Sequence, residues 1–217
     1  VEPAERAERG TTITIHLKSD AEEFANSWRV EQTIKRHSDY VSFPIYMGDH
    51  RANQQQAIWR RPPRDVEADQ YPTFYKQLTM DMEDPLAYMH LSTDAPVDLH
   101  SVLFIPSRRE RGLIERRIEG TIKLYSRKVL IQEETKDLLP NFFRFIEGVV
   151  DSEDLPLNVS RETVQKNPVM QRIKKSLTGR LFRDINEMAE QDSEKFAHFW
   201  REFGPFIKEG IATDFEH

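Results

Sequence analysis

The residues best placed to do chemistry lie in one acidic and polar run, residues 151–162, which reads DSEDLPLNVSRE. Pro156 disfavours helical geometry in the residue before it, and Ser160 is a good N-cap for a helix that would begin at Arg161. An arginine in the first turn opposes the helix dipole, which favours anions at that end. A phosphate group bound from outside would account for its position. The alternative is a surface arginine with no task, or one paired with an acidic neighbour.

No other pattern in the chain forms a self-contained active site. The 8 glycines form neither the phosphate loop GxxxxGK nor the dinucleotide loop GxGxxG, so we do not expect this chain alone to bind ATP tightly. The 7 histidines are scattered and cysteine is absent, so we expect no metal site. Ser160 has no histidine near it in the sequence to activate its hydroxyl. From its residues alone, the chain is not assigned to a class of enzyme.

Two further features are candidate binding sites. Trp59 lies between polar and proline-rich residues, where an exposed tryptophan would be a typical anchor for a partner. A tryptophan packed at the edge of a sheet is the alternative, and the sequence favours it slightly. The arginine-rich residues 107–117 could form a nucleic-acid patch. A solvated loop with interleaved glutamates is the favoured alternative, because the net charge of -6 and the pI of about 5.7 give no global basic field.

Composition predicts a folded, polar-surfaced chain. Its 217 residues are enough for one large domain or a domain with satellites. Charged residues make up 31%, yet 13 phenylalanines and 3 tryptophans argue against disorder. We find no apolar run of membrane-spanning length and no signal peptide. The lack of cysteine excludes disulfides and fits a reducing compartment. Because the chain begins at Val1, we expect an excised fragment, and His217 is either native or the remnant of a tag.

Periodicity and capping signals place the elements along the chain. Alternation predicts a strand at 12–18, and a capping box at Asp20 predicts a helix that runs to about His37. A linker at 48–57 and a helix at 67–78 follow, and the clearest strands are 97–105 and 121–131. Residues 138–150 combine a short helix with an apolar strand. Two helices end the chain, one opened by Asn167 and Pro168, the other capped by Ser193 and ended after Phe203 by Gly204.

The first of these two helices has a regular apolar face. Six apolar residues recur at steps of three and four, which is the pattern of a long helix with one face buried. They are Met170, Ile173, Leu177, Leu181, Ile185 and Met188.

The run 151–162 resembles the signature of the Hsp90 chaperone family, at the point where the middle segment offers an arginine to ATP. Other segments resemble the family in the family's order. They are 9–13 (RGTTI) with 16–18 (HLK), 34–40 (IKRHSDY) with 43–45 (FPI), 58–60 (IWR), 74–76 (FYK), 103–106 (LFIP), 124–131 (LYSRKVLI), 199–204 (FWREFG) and 208–211 (KEGI). The resemblance covers nearly everything from Arg9 to Gly210, and it leans towards the bacterial or mitochondrial branch.

The resemblance implies roles for four residues. The family's catalytic arginine, which contacts the γ-phosphate once the lid closes, falls on Arg161, and its supporting glutamine falls on Gln165. Asn158 lies in the same loop, and its side chain would help to hold that loop in place. The family's client-facing tryptophan falls on Trp59. The family's nucleotide pocket, where ATP and Mg²⁺ bind, and the glutamate that activates water belong to a domain upstream of this chain, so we expect this chain alone to be inactive.

The implied fold is α/β: a layered α/β/α sandwich middle domain with a helical satellite, preceded by a strand–helix tail of the N-terminal ATPase domain. We divide the chain into 1–47 (the tail), 48–57 (linker), 58–165 (sandwich) and 166–217 (helical region).

The resemblance also implies partners and a compartment. The partners are unfolded or client proteins, the chain's own ATPase domain and co-chaperones. We expect the full-length protein to be a homodimer and this fragment to be a monomer. The compartment is the cytoplasm, or alternatively the mitochondrial matrix. In one departure, residues 108–111 are charged where many members have an aromatic that packs on the ATPase domain, so that docking contact is not assigned.

Overall fold

A mixed five-stranded sheet organises the described part of the chain, which in this computed structural model comprises residues 9–110, 119–156 and 167–213. The strands are β3 (Ala87–Thr93), β4 (Leu99–Ile105), β5 (Ile122–Ser126), β6 (Val129–Gln132) and β7 (Glu147–Asp151). Their order across the sheet is β3-β4-β7-β5-β6. Neighbouring strands are antiparallel except β5 and β7, which are parallel. A separate pair, β1 (Tyr46–Met47) and β2 (His50–Arg51), forms a short hairpin.

Helical elements cover both faces of the sheet, and alternate residues of β4 therefore enter two different cores. Leu99, Leu103 and Ile105 join the core that packs against helices α3 (Pro168–Gln191) and α4 (Ser193–Thr213). Val102 and Phe104 join the other core, which packs against α2 (Gln70–Thr79) and the short 3-10 helix Ile58–Arg60. The predicted α/β sandwich is therefore confirmed. None of the described helices combines the length and apolar character needed to cross a membrane.

Helix α3 agrees with its prediction from the sequence. The Asn167 side chain accepts a hydrogen bond from the Val169 N–H at 2.9 Å, with Pro168 at the first position. Five of the six predicted apolar positions are buried, and Met188 is partly buried against the same core. The stripe binds the helix to one face of the sheet.

Helix α4 is longer than predicted. It begins at Ser193, but the cap is Asp192, whose carboxylate accepts from the Lys195 N–H at 3.0 Å. It then passes through Gly204 and Pro205 to Thr213. Packing overrides the stop signal, since Phe203 and Phe206 both stack on Phe145 with ring centroids 4.2 and 5.7 Å apart.

The predicted strand 121–131 is wrong as a single element: it is a hairpin of β5 and β6. Arg127 and Lys128 form the turn with φ of 50° and 66°, both in the left-handed region. Two-residue hairpin turns of this geometry usually contain glycine or asparagine, so the sequence carries no turn signal here. Strand β3 was also missed in the sequence analysis.

The N-terminal predictions are corrected in two places. Residues 12–18 form no strand, and Ile13 and Ile15 are 79% and 75% exposed. A strand requires a neighbouring strand, and none of the described strand pairings includes residues 12–18. The helix predicted from Asp20 is a 3-10 helix, Ser19–Ala25, followed by α1 (Ser27–His37). Asn26 caps α1 by accepting from the Trp28 and Arg29 N–H groups at 2.9 and 3.4 Å.

The cap at Asn167 can be tested by mutation. We expect Asn167→Ala to lower the free energy of unfolding by about 1 kcal/mol, because the Val169 N–H loses its acceptor. Urea unfolding of the chain measures the loss. Asn167→Asp retains an acceptor and should stay near wild type; equal losses in the two variants would contradict the capping role.

Candidate functional site

The three residues assigned to the ATPase site, Asn158, Arg161 and Gln165, lie in segment 157–166, outside the described residues. The structure describes the two ends of that segment. The acidic turn 152–156 follows β7 on one side, and Asn167 opens α3 on the other. The candidate site is therefore built from the contacts that hold these ends.

A buried carboxylate at the end of β7 fixes the first end. The Asp151 side chain has 0% exposure and accepts from the Trp59 indole N–H at 3.0 Å and from Nε of Arg60 at 2.7 Å. The Lys128 backbone N–H also points at the same oxygen, Oδ2, at 3.2 Å. Three segments distant in sequence therefore meet at one carboxylate: the end of β7, the β5–β6 turn and the 3-10 helix Ile58–Arg60.

Further hydrogen bonds hold the acidic turn that follows. The Ser126 hydroxyl donates to the Leu155 carbonyl at 2.5 Å, and Leu155 is itself buried in the core. Asp98 contacts the turn twice: its carboxylate accepts from the Glu153 N–H at 2.7 Å, and its N–H donates to the Asp154 carboxylate at 2.9 Å. The chain is thus tied to the sheet up to Leu155, immediately before segment 157–166.

Arg60 supplies the positive charge for this acidic region. Its Nη1 lies 3.0 Å from the Glu153 carboxylate and 3.9 Å from that of Asp98, beside the 2.7 Å bond to Asp151. Burial by itself would lower the pKa of Arg60, but the hydrogen bond and charge of Asp151, together with the charges of Asp98 and Glu153, outweigh it, and the pKa is raised. The guanidinium therefore stays charged.

Trp59 is not exposed, so its interpretation as an exposed anchor is corrected in favour of the packed alternative. The ring has 0% exposure and lies between Tyr40, Tyr125 and Phe74, with centroids 4.5, 5.0 and 5.8 Å away. Its N–H is used by Asp151. The client-binding role implied by the resemblance stays a prediction. In this conformation the ring is not accessible to a client.

His90 on β3 joins the same neighbourhood. Its Nε2 lies 3.4 Å from the Trp59 carbonyl, which can only accept, and its Nδ1 lies 2.7 Å from the Tyr71 hydroxyl. Burial lowers the pKa of His90, the bond to Trp59 opposes this, and the nearby His100 lowers it further. Neutral His90 therefore links the strand, helix α2 and the backbone of Trp59.

One group of side chains, which the sequence analysis did not single out, has the spacing of a metal site. The ligand atoms of Asp94, Asp98 and His100 all lie within 4.8 Å of one another. Asp98 and His100 already contact each other at 3.3 Å, and Asp98 holds the acidic turn. Exposed acidic groups of this kind are common without an ion, and we assign no metal here.

Acidic side chains contact the described part of the arginine-rich region. The Arg108 side chain forms an ion pair with Glu83 at 3.1 Å, and the backbone N–H of Arg109 donates to the Glu202 carboxylate at 3.0 Å. Residues 111–118 lie outside the described part of the chain. These contacts favour the solvated-loop interpretation over a nucleic-acid patch.

The sheet-and-helix sandwich, with a tethered segment after β7, defines the class as a layered α/β domain, and comparison with known proteins gives the family. A family model described as Hsp90 protein matches residues 47–217. Chaperone protein HtpG of Chlorobaculum tepidum is 45% identical over 99% of this chain, and HtpG of Desulfitobacterium hafniense is 42% identical over 96%. HtpG of Nitratidesulfovibrio vulgaris is 43% identical over 94%.

The chain belongs to the Hsp90 family, so the resemblance inferred from the sequence is confirmed. The matches cover 35%, 34% and 32% of the three relatives, so the chain spans about a third of the length of the curated relatives it matches.

Asp151 is the residue of this region that sequence reasoning missed as an organising group. It was included only as one acid of the run 151–162. The available signal was position: an acid directly after the apolar pair Val149 and Val150 at the end of a strand is buried with them. Its partners Trp59 and Lys128 are too distant in sequence to be found by spacing.

We expect Asp151→Ala to lower the free energy of unfolding by about 3 kcal/mol, because it leaves the Arg60 charge and the Trp59 N–H buried without their acceptor. Glu153→Ala is the matched control, since that carboxylate pairs with the same arginine but is 55% exposed. It should cost less than about 1 kcal/mol. Chemical denaturation of both variants measures the difference; similar losses would refute the central role of Asp151.

The lowered pKa of His90 predicts acid sensitivity. Below the unfolded-state pKa of about 6.5 the unfolded chain binds a proton that folded His90 resists, so stability falls as the pH drops through this range. We expect His90→Gln to reduce the loss of melting temperature between pH 7.5 and pH 5.5. His37→Gln, at an exposed histidine of α1, is the control. A wild-type pH profile in His90→Gln would contradict the assignment.

Proposed function

We propose that this chain is the middle segment of an ATP-dependent Hsp90-type chaperone and that Arg161 contacts the γ-phosphate of ATP. Membership of the Hsp90 family is the observation that carries the proposal. The described ends of segment 157–166 support it: the segment runs from Leu155, tied to Ser126, to Asn167, the cap of α3. A short segment with both ends fixed to a rigid domain is suited to present a side chain to another domain.

Arg161 would act as an arginine finger, delivered when the ATPase domain docks. Its guanidinium would stabilise charge on the transferring phosphate, with a rate effect of about 10³–10⁵ in enzymes that use such fingers. A planar fork of donors matches phosphate oxygens better than the point charge of lysine. Gln165 would support the arginine and Asn158 would help to hold the loop. ATP, Mg²⁺ and the glutamate that activates water would belong to the ATPase domain.

The wider function follows the family. The full-length protein would act as a homodimer that closes around unfolded or client proteins, with co-chaperones as further partners, in the cytoplasm or alternatively the mitochondrial matrix. Hydrolysis that depends on domain closure reports the conformational cycle rather than fast chemistry.

We expect Arg161→Ala in the full-length protein to leave ATP affinity unchanged and to collapse steady-state hydrolysis, by as much as about 10³-fold. Arg161→Lys should also lose hydrolysis, because lysine keeps the positive charge but not the planar fork of donors. Arg172→Ala, at an exposed arginine in the first turns of α3, is the matched control and should hydrolyse ATP at the wild-type rate.

Unchanged turnover in Arg161→Ala would overturn the catalytic assignment. It would leave the alternative, a client and co-chaperone binding module with no catalytic contribution. One observation favours a binding surface of that kind. On α4, Trp200 is 38% exposed beside Phe196, with the Lys208 ammonium 5.6 Å from its ring centroid, whereas the neighbouring Phe199 is buried.

A further inference from the structure

The pairing of β4 with β7 continues beyond the ends of the two strands. The last pair of the antiparallel ladder is His100 opposite Asp151. Two residues further along each chain, the same register places Asp98 opposite Glu153. At that point the Asp98 carboxylate accepts a hydrogen bond from the Glu153 N–H at 2.7 Å, where a ladder would use a backbone carbonyl. A side chain therefore carries the register of the sheet into the acidic turn 152–156.

A second bond runs in the opposite direction between the same two loops. The Asp98 N–H donates to the Asp154 carboxylate at 2.9 Å. Each loop thus gives one backbone N–H and one carboxylate to the other. We call these two bonds the Asp98 clamp. The clamp ends at Asp154, and the next residue, Leu155, is already held by the Ser126 hydroxyl.

The Asp98 carboxylate is oriented by two further groups. Its Oδ2 lies 3.3 Å from Nε2 of His100, and Nδ1 of that ring lies 3.0 Å from the Ser92 hydroxyl. Its Oδ1 lies 3.9 Å from Nη1 of Arg60. The Asp98 side chain is only 22% exposed. Because it is contacted from both sides, the carboxylate presents a fixed acceptor to the Glu153 N–H.

The loop that carries Asp98 is fixed independently of the clamp. Val97 and Leu99, on either side of Asp98, are 1% and 0% exposed and belong to the core that packs against α3 and α4. Loss of the Asp98 carboxylate would therefore leave its own loop in place and release the turn 152–156. The clamp holds that turn against a part of the sandwich that is already packed.

From this geometry we infer that Asp98 is a positioning residue for ATP hydrolysis. By holding the turn 152–156 in register with the sheet, it sets the point from which segment 157–166 begins. Groups that support a catalytic side chain from behind determine how accurately that side chain is presented. The inference rests on the proposed role of Arg161, and it extends that role to a residue of the β3–β4 loop. Asp98 acts through Arg161 and not on the nucleotide.

The test is the steady-state ATP hydrolysis and the ATP affinity of the full-length protein. We expect Asp98→Ala to lower kcat about tenfold, since misplacing a catalytic group by about 1 Å can cost as much as about 10²-fold. ATP affinity should stay at the wild-type value, because the nucleotide binds in the ATPase domain. Asp98→Asn should restore most of the rate, because its amide oxygen can accept from the same Glu153 N–H.

Two further variants separate the clamp from general effects of charge or folding. Asp94→Ala removes the same charge from the same loop at an exposed position, and no hydrogen bond in the described part of the chain joins its carboxylate to the turn. It should hydrolyse ATP at the wild-type rate. Asp154→Ala removes the other carboxylate of the clamp and should lower kcat as Asp98→Ala does. Thermal unfolding of each variant shows that it is folded at the assay temperature.

The outcomes distinguish this inference from the assignment of Arg161. Wild-type turnover in Asp98→Ala, with hydrolysis lost in Arg161→Ala, would overturn the positioning role alone. Equal losses in Asp98→Ala and Asp98→Asn, or a fall in ATP affinity that accounts for the lost rate, would also overturn it. Unchanged turnover in Arg161→Ala would overturn the proposed function, and the role of Asp98 with it.

Discussion

The buried carboxylate of Asp151 is the constraint on which the arrangement around it depends. A carboxylate with 0% exposure requires donors to replace water, and here they come from Trp59, Arg60 and the Lys128 backbone. The last donor explains the turn between β5 and β6. For its N–H to point at Asp151, Lys128 takes a φ of 66° although it is not glycine. The strained backbone of Lys128 and the buried carboxylate of Asp151 thus belong to one arrangement, and this arrangement holds the end of β7 in place.

The described residues on either side of segment 157–166 are held by this arrangement and by helix α3. The chain before it is fixed by Asp151, by the Ser126 bond to Leu155 and by Asp98, and the chain after it is fixed by Asn167 and the buried stripe of α3. Under the proposed function, Arg161 would be presented from two anchors that belong to one packed sandwich. The acids around Arg60 hold the end of β7 and the acidic turn that follows it. They neutralise the structural arginine Arg60.

Local signals predicted the elements whose structure is decided locally. The Asn167 cap, the apolar stripe of α3 and the apolar run of β4 could all be identified, because a helix cap or an apolar period is determined by residues only a few positions apart. The turn at Arg127 and Lys128 could not, since a distant carboxylate rather than a glycine stabilises it. Residues 12–18 show the opposite error: alternation states what a strand would bury, but not that a partner strand is present. The stop at Gly204 failed because Phe203 and Phe206 pack on Phe145 from both sides of it.

Trp59 illustrates why a residue can look like a surface anchor in the sequence and be buried in the fold. Its neighbour Arg60 is polar because it serves Asp151 and the acidic turn, whereas the Trp59 ring itself is covered by Tyr40. The rings that bury it, Tyr40, Phe74 and Tyr125, come from three segments that are distant from one another in sequence. The burial of Trp59 therefore depends on the tertiary fold, and no local pattern around the residue can predict it.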